Sequence, residues 1–277
     1  MGIVRYGTCS WSEKSWVGPF YPKGTKPGDF LDFYATQFDT VEVDATYYRR
    51  LGFDLAQRWV DHTPPGFLMA TKFPCQFMLG TDDPREAVNE KVLEPIFNQG
   101  ETLAHMAALG ILGARRGPVV VQLPYFKKTV FPDLAAFLSK LEPFLASFSK
   151  SERIVVEVRN PEYLHEELLA VLRAHRAAFC LNNIRGMPHP ADVAEKLNVL
   201  TTDFFYARLI GDRSAVDRLT KTFDKIVIDQ APRLQRWAAL VQTLATDADG
   251  FVYANNHFAG HGPETARRLK QLLSTPA

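Results

Sequence analysis

Cysteine is scarce in this chain: Cys9, Cys75 and Cys180 are the only three in 277 residues, and none stands in CxxC spacing. That excludes a cysteine-rich zinc site and fits a reducing cytosol. Long apolar runs are missing as well. No stretch of 18 apolar residues occurs, and no charged segment followed by an apolar core opens the chain. A cytoplasmic protein without membrane contact is therefore expected. Charge of one sign is not in excess, since 32 Lys and Arg face 31 Asp and Glu for a formal net charge of +1. Nothing global then draws the chain to nucleic acid or anionic membranes, although a local basic pocket stays open. A GxGxxG or Walker-type loop is also missing, which argues against a nucleotide-cofactor fold. Finally, no Gly/Ser linker or composition shift divides the chain. One domain over residues 1–277 is expected, because α/β barrels routinely run to roughly 250 residues undivided.

What the chain does have is a repeated alternation. Eight short apolar runs recur: Ile3–Thr8, Thr40–Asp44, Phe67–Lys72, Val119–Gln122, Ile154–Arg159, Ala178–Asn183, Phe204–Arg208 and Phe251–Asn256. Each has strand length, and each precedes a longer segment with helical periodicity. Helices are expected over 29–37, 54–62, 85–109 with a kink or break at Pro95, 133–148, 161–175, 190–197, 223–245 and 263–273. Pro161 and Pro263 suit first-turn positions. Eight βα units in series predict a single closed (β/α)8 TIM barrel with a parallel sheet, in which ligands meet the carboxyl ends of the strands.

Those ends carry polar side chains. Alternate strand residues point inward, so Thr40, Glu42 and Asp44 share a face, as do Leu68, Ala70 and Lys72. By the same parity Val120 aligns with Gln122, Val155 with Glu157 and Arg159, and Tyr206 with Arg208. A filled apolar floor beneath a polar mouth is the expected result. Glu42 and Glu157 are the candidate acid and base, provided their surroundings drive their pKa values apart. Lys72, Arg159 and Arg208 are candidate clamps for a phosphate or carboxylate. Asp44, Gln122, Asn183, Asn255 and Asn256 are candidates for reading hydroxyls or carbonyls. Buried Glu–Lys or Glu–Arg pairs that only satisfy one another are the competing interpretation of the same residues.

Other groups are less directive. Trp11, Trp16, Phe20, Tyr21, Tyr47 and Tyr48 either stack on a ligand or pack the first two loops. Trp11 and Tyr47 are kept as ligand candidates, with His261 from the closing Asn-Asn-His-Phe-Ala-Gly-His-Gly-Pro stretch. Cys9 is a thiol nucleophile or a small buried filler. Arg115, Arg116, Lys127 and Lys128 read as solvated surface charge. No histidine cluster suggests zinc, and no metal ligand or cofactor is assigned. Glu42, Asp44 and Glu157 are nonetheless groups of the type that hold Mg²⁺.

The segments GTCSWSEKSWVGPFYP, FDTVEVDATYYR, FLMATKFP, VVVQLP, IVVEVRNPEY, FFYARLIGDR and FVYANNHFAGHGP follow one another along the chain. Together they resemble the YecE-like family, catalogued as domain of unknown function 72. Cys9-Ser10 stands where many members carry Ser-Gly before the first Trp. The resemblance implies a single TIM barrel, in agreement with the periodicity, and implies no particular reaction. The fold so implied is similar to that of xylose isomerases and of barrel endonucleases acting at abasic sites. The metal-binding His and acidic residues of those enzymes have no counterpart here. The leading expectation is thus an enzyme acting on a small polar anionic ligand, such as a sugar phosphate, by carboxylate acid/base chemistry. The alternatives are a nucleic-acid-binding or endonuclease-like barrel, and a non-catalytic ligand-binding or partner protein.

Overall fold

The computed structural model describes residues 1–81, 91–94 and 100–274. Its strands are β1 (Val4–Thr8), β2 (Thr40–Val43), β3 (Leu68–Lys72), β4 (Arg116–Gln122), β5 (Ile154–Glu157), β6 (Ala178–Asn182), β7 (Phe204–Leu209) and β8 (Asp249–Ala254). All pair in parallel in the order β1-β8-β7-β6-β5-β4-β3-β2. A bridge between Cys9 and Glu42 joins the first and second strands and all but closes the ring. At that seam Ser10 N–H donates to the Glu42 carbonyl at 2.7 Å. The approach is close enough to demand glycine at position 7, where a Cβ would lie 2.2 Å from the Thr40 carbonyl oxygen.

The helices among the described residues are α1 (Phe30–Gln37), α2 (Ala45–Tyr48), α3 (Phe53–Asp61), α4 (Cys75–Leu79), α5 (Gly100–Ile111) and α6 (Leu134–Ala146). They continue as α7 (Glu166–Ala174), α8 (Pro190–Ala194), α9 (Arg213–Leu219), α10 (Ala231–Leu244), α11 (Asn256–Ala259) and α12 (Gly262–Ser274). The amphipathic pattern accounts for most of these. α3, for example, buries Ala56 and Trp59 and leaves its charged face outward. None of them is long and apolar enough to cross a membrane.

Three expectations shift. The helix expected over 223–245 begins only at Ala231, because Pro232 is tolerated in a first turn and not beyond it. The segment expected over 161–175 divides into a single 3₁₀ turn, Pro161–Tyr163, and then α7, whose start is set by the His165 side chain accepting from Glu167 N–H. The expected stretch 85–109 is described only from Gly100, and Pro95 lies outside the described residues. Short helices after β2, β3, β7 and β8 escape periodicity because they span seven residues or fewer.

Strand parity is as expected. An inner cluster of Cys9, Leu68, Ala70, Val120, Val155, Ala178, Cys180, Phe204, Tyr206, Phe251 and Tyr253 fills the barrel. A separate, larger core lies between the sheet and the helices. Trp16, Phe20 and Tyr21 belong to that outer core, so they pack the first loop. Arg115 and Arg116 are half-buried instead of freely solvated. Arg115 donates to the Thr63 carbonyl, and Arg116 pairs with Glu152 at 2.5 Å.

Histidine imidazoles also cap α8 and α12. His189 Nδ1 accepts from Ala191 N–H at 3.2 Å, and His261 Nδ1 from Glu264 N–H at 3.3 Å. Accepting requires an unprotonated nitrogen. Burial, then Arg236, pulls His189 down to about 4, and burial, then Arg116, does the same to His105.

Two outcomes follow. Gly7→Ala should cost about 1–3 kcal/mol in denaturant unfolding, since it forces a side chain into the closing seam; an unchanged midpoint would show a looser seam. Histidines held neutral give stability that is complete above about pH 6.5 and is lost as pH falls toward about 4, where the folded groups protonate. Unfolding midpoints should drop across that window. His189→Asn, which keeps a capping acceptor and does not titrate, should lessen the drop.

Candidate functional site

The inward face of the strand ends converges on one guanidinium. Arg208, at the end of β7 and 3% exposed, donates through Nε to Glu42 Oε1 at 3.1 Å and through Nη2 to the same oxygen at 2.7 Å. Its Nη1 donates to Gln122 Oε1 at 3.0 Å and to Glu157 Oε2. Four of its five N–H groups are thereby engaged with buried acceptors. Tyr206, two residues earlier on the same face, donates its hydroxyl to Glu42 Oε2 at 2.7 Å. Lys72 Nζ donates to Gln122 Oε1 at 2.9 Å, pairs with Asp44 and lies 3.6 Å from Glu42 Oε1.

The charges respond to one another. Burial by itself would raise the Glu42 carboxyl, but Arg208 and then Lys72 overcome it and hold the group at about 2. Burial likewise opposes ionisation of Glu157, and Arg208, Arg159 and Lys72 reverse that so its pKa falls below the ordinary value. For Lys72, burial and Arg208 work against the charge, whereas Asp44 and Glu42 restore it and leave the pKa raised. Both glutamates are fully buried and ionised, and neither lines the cavity above them. The environments push both pKa values downward instead of apart, and in this arrangement the two glutamates are counter-charges for Arg208, Arg159 and Lys72. The thiols beneath are inert by the same reasoning. Burial, then Glu42 for Cys9 and Glu157 for Cys180, raises both well above the usual thiol range.

Above this layer opens a cavity of about 600 Å³, within the size range of small-molecule sites. Its wall includes Asp44, Tyr47, Tyr48, Lys72, Gln122, Arg159, Arg208 and Asn255. Arg159 differs from the other inner cations. Its Nε and Nη2 both contact Glu157 Oε1, at 2.9 and 2.8 Å, while Nη1 has no hydrogen-bond partner among the described residues. Its side chain is 27% exposed. Arg159 can therefore offer Nη1 to an anion without abandoning its carboxylate, whereas Arg208 has a single N–H left to offer.

Four expected ligand residues stand elsewhere. Asn183 and Asn256 each follow an inward-facing asparagine, so strand parity turns them away. Asn183 Oδ1 accepts from Ile210 and Gly211 N–H at 2.8 and 3.2 Å, and Asn256 Oδ1 from Trp16 Nε1 and Gly262 N–H at 3.2 and 2.9 Å. Trp11 packs edge-on against Trp59 at 5.8 Å. His261 caps α12 and stands edge-on to Trp16 at 6.2 Å. In their place the wall carries Arg185, Asp212, Arg213, Ser214 and His257. Their signal was present in Asn-Asn-Ile-Arg after β6 and Ile-Gly-Asp-Arg-Ser after β7, both immediately past strand ends.

Glu42, Asp44 and Glu157 face Lys72, Arg159 and Arg208, three anions to three cations. A divalent ion would have to displace Lys72 or Arg208 to reach them. Among the described residues no three His, Cys, Asp or Glu side chains gather as a metal-binding group.

Removing Arg208 leaves two ionised carboxylates buried without their main partner. Arg208→Ala should thus destabilise the fold by about 3–5 kcal/mol in denaturant unfolding. A loss below about 1 kcal/mol, typical of exposed pairs, would show the cluster to be better solvated than its burial indicates.

Comparison with known proteins agrees with this architecture. A DUF72 family protein from Thermotoga maritima superposes with a TM-score of 0.71 at 22% identity, covering 99% of this chain and 100% of that one. A second, from Enterococcus faecalis, gives 0.69 at 18% identity over 100% and 99%. An L-ribulose 3-epimerase aligns at a TM-score of 0.43 and 16% identity, too distant to bear on activity. No curated protein matches the sequence. Residues 5–277 match the model of the family described as protein of unknown function DUF72, and the chain belongs to that family.

Proposed function

We propose that this barrel is an enzyme whose substrate is a small polar molecule carrying one anionic group, of the sugar phosphate kind. The observation that carries this reading is Arg159 Nη1, without a hydrogen-bond partner among the described residues, on a wall where five cations face two carboxylates. The cations are Lys72, Arg159, Arg185, Arg208 and Arg213, and the carboxylates are Asp44 and Asp212. Glu42 and Glu157 lie underneath and keep the inner cations in place without competing for the ligand.

The rest of the wall suits a hydroxylated body. Gln122, Ser214 and Asn255 offer amide and hydroxyl groups, and Tyr47 and Tyr48 offer flat faces. Asp44 is the carboxylate that reaches the ligand space among the strand-end acids, with a side chain 33% exposed. Carboxylate acid/base chemistry falls to Asp44 in place of the two glutamates. The inner cations sit on a cavity floor and not on an open ridge, which favours a small ligand over a duplex.

Isothermal calorimetry with ribose 5-phosphate against ribose tests the reading. The phosphorylated sugar should bind, and Arg159→Ala should weaken it about 10- to 100-fold, the equivalent of losing a charged hydrogen bond of about 1.5–3 kcal/mol. Equal binding of both sugars, or indifference to Arg159→Ala, would contradict it.

A further inference from the structure

One amide on the cavity wall is held so that only its nitrogen is left for a ligand. We propose that Asn255 is a specificity-determining residue whose Nδ2 donates to an oxygen of the ligand remote from its anionic group, a role that rests on the reading of the cavity as an anion site.

The amide is fixed by its neighbours. Asn255 directly follows β8 and is the N-cap of α11. Its backbone N–H donates to the Leu209 carbonyl at 2.9 Å, which ties it to the end of β7. Its Oδ1 accepts the His257 backbone N–H at 2.9 Å, as a capping asparagine does. The His257 ring comes to the same oxygen, with Nδ1 at 3.0 Å, and donates there when that nitrogen carries a proton. On its other side the ring meets Asp217 Oδ1, 3.2 Å from Nε2, and Phe223 stands edge-on at 4.9 Å. Gly211, at φ +75°, lets the loop after β7 press against this turn, where a Cβ would lie 2.6 Å from the His257 carbonyl oxygen.

These contacts decide which end of the amide is left over. A backbone N–H is met by Oδ1 and not by Nδ2, so turning the amide over would set donor against donor. Nδ2 has no hydrogen-bond partner among the described residues, and Asn255 stands half-buried on the cavity wall. Gln122, the other amide of that wall, is engaged at both ends. Its oxygen accepts from Lys72 and Arg208, and its side chain hydrogen-bonds to Tyr47. Asn255 thus keeps two N–H donors in reserve, three strands round the ring from Arg159. Donors of fixed direction select a hydroxyl or carbonyl oxygen. An ammonium at that place would bring donor against donor, and Arg213 on the same wall would add like charge.

Calorimetry and proton–nitrogen correlation spectra of the side-chain amides, on the whole chain with ribose 5-phosphate and inorganic phosphate as probes, test the proposal. Asn255→Ser keeps a capping oxygen for α11, so the fold should hold. In that variant ribose 5-phosphate should bind about 3- to 10-fold more weakly, the loss of one neutral hydrogen bond, and inorganic phosphate should bind as before. The Nδ2 proton pair of Asn255, identified by its absence from the variant, should shift with ribose 5-phosphate and stay still with inorganic phosphate. A pair that ignores ribose 5-phosphate would overturn the proposal, as would a variant that binds both probes like the unaltered chain. Equal weakening of both probes would reduce Asn255 to a helix cap and overturn it too. If the unaltered chain binds neither probe, the anion reading itself falls, and this role with it.

Discussion

Arg208 is the constraint on which the interior of this barrel depends. A guanidinium buried to 3% exposure is costly unless its donors are matched, and here Glu42, Gln122 and Glu157 match four of them. The partners come from β2, β4 and β5, so a single side chain ties four strands together across the ring. Tyr206 and Lys72 complete the arrangement by taking up the remaining carboxylate capacity. Apolar side chains fill the barrel below, and the balanced ionic layer is the boundary between that filling and the mouth.

That layer separates two kinds of charge that sequence alone presents as equals. Groups inside it are saturated by one another and hold their ionisation against burial. Those just outside it, Arg159 above all, keep donors in reserve and face the cavity. The carboxylates that balance Arg159 and Arg208 thus lie beneath the cavity, while Asp44, which pairs with Lys72, reaches its wall. The far wall, from the loops after β6, β7 and β8, adds Arg185, Asp212, Arg213, Ser214 and His257.

Much of this was legible in the sequence, and particular residues show why. The eight strands announced themselves through Val-, Ile- and Phe-rich runs, and a period of two placed Glu42, Lys72, Gln122, Glu157 and Arg208 on one inward face. The same parity, applied to the asparagine doublets, would have separated Asn182 from Asn183 and Asn255 from Asn256. What parity cannot tell is whether a charge is spent or free, because that depends on partners from other strands. The competing readings of Glu42 and Glu157, reactive pair or mutual ion pair, were both open for that reason. Trp11 and His261 misled for another: an aromatic or a histidine near a strand end suits a ligand site and a loop core equally well. Arg185 and Arg213 escape a reading by periodicity because exposed arginines just past a strand end carry no periodic signal.

The account turns on Glu42 and Glu157 being permanent carboxylates that serve as scaffold. Carbon-13 NMR of their side-chain carboxyls, followed from pH 7 downward in the folded protein, tests that claim most directly. Both signals should titrate below the ordinary carboxyl range, Glu42 only near 2 if the fold survives so far. Titration of either group near neutral pH would contradict the account and return that glutamate to the role of a working acid.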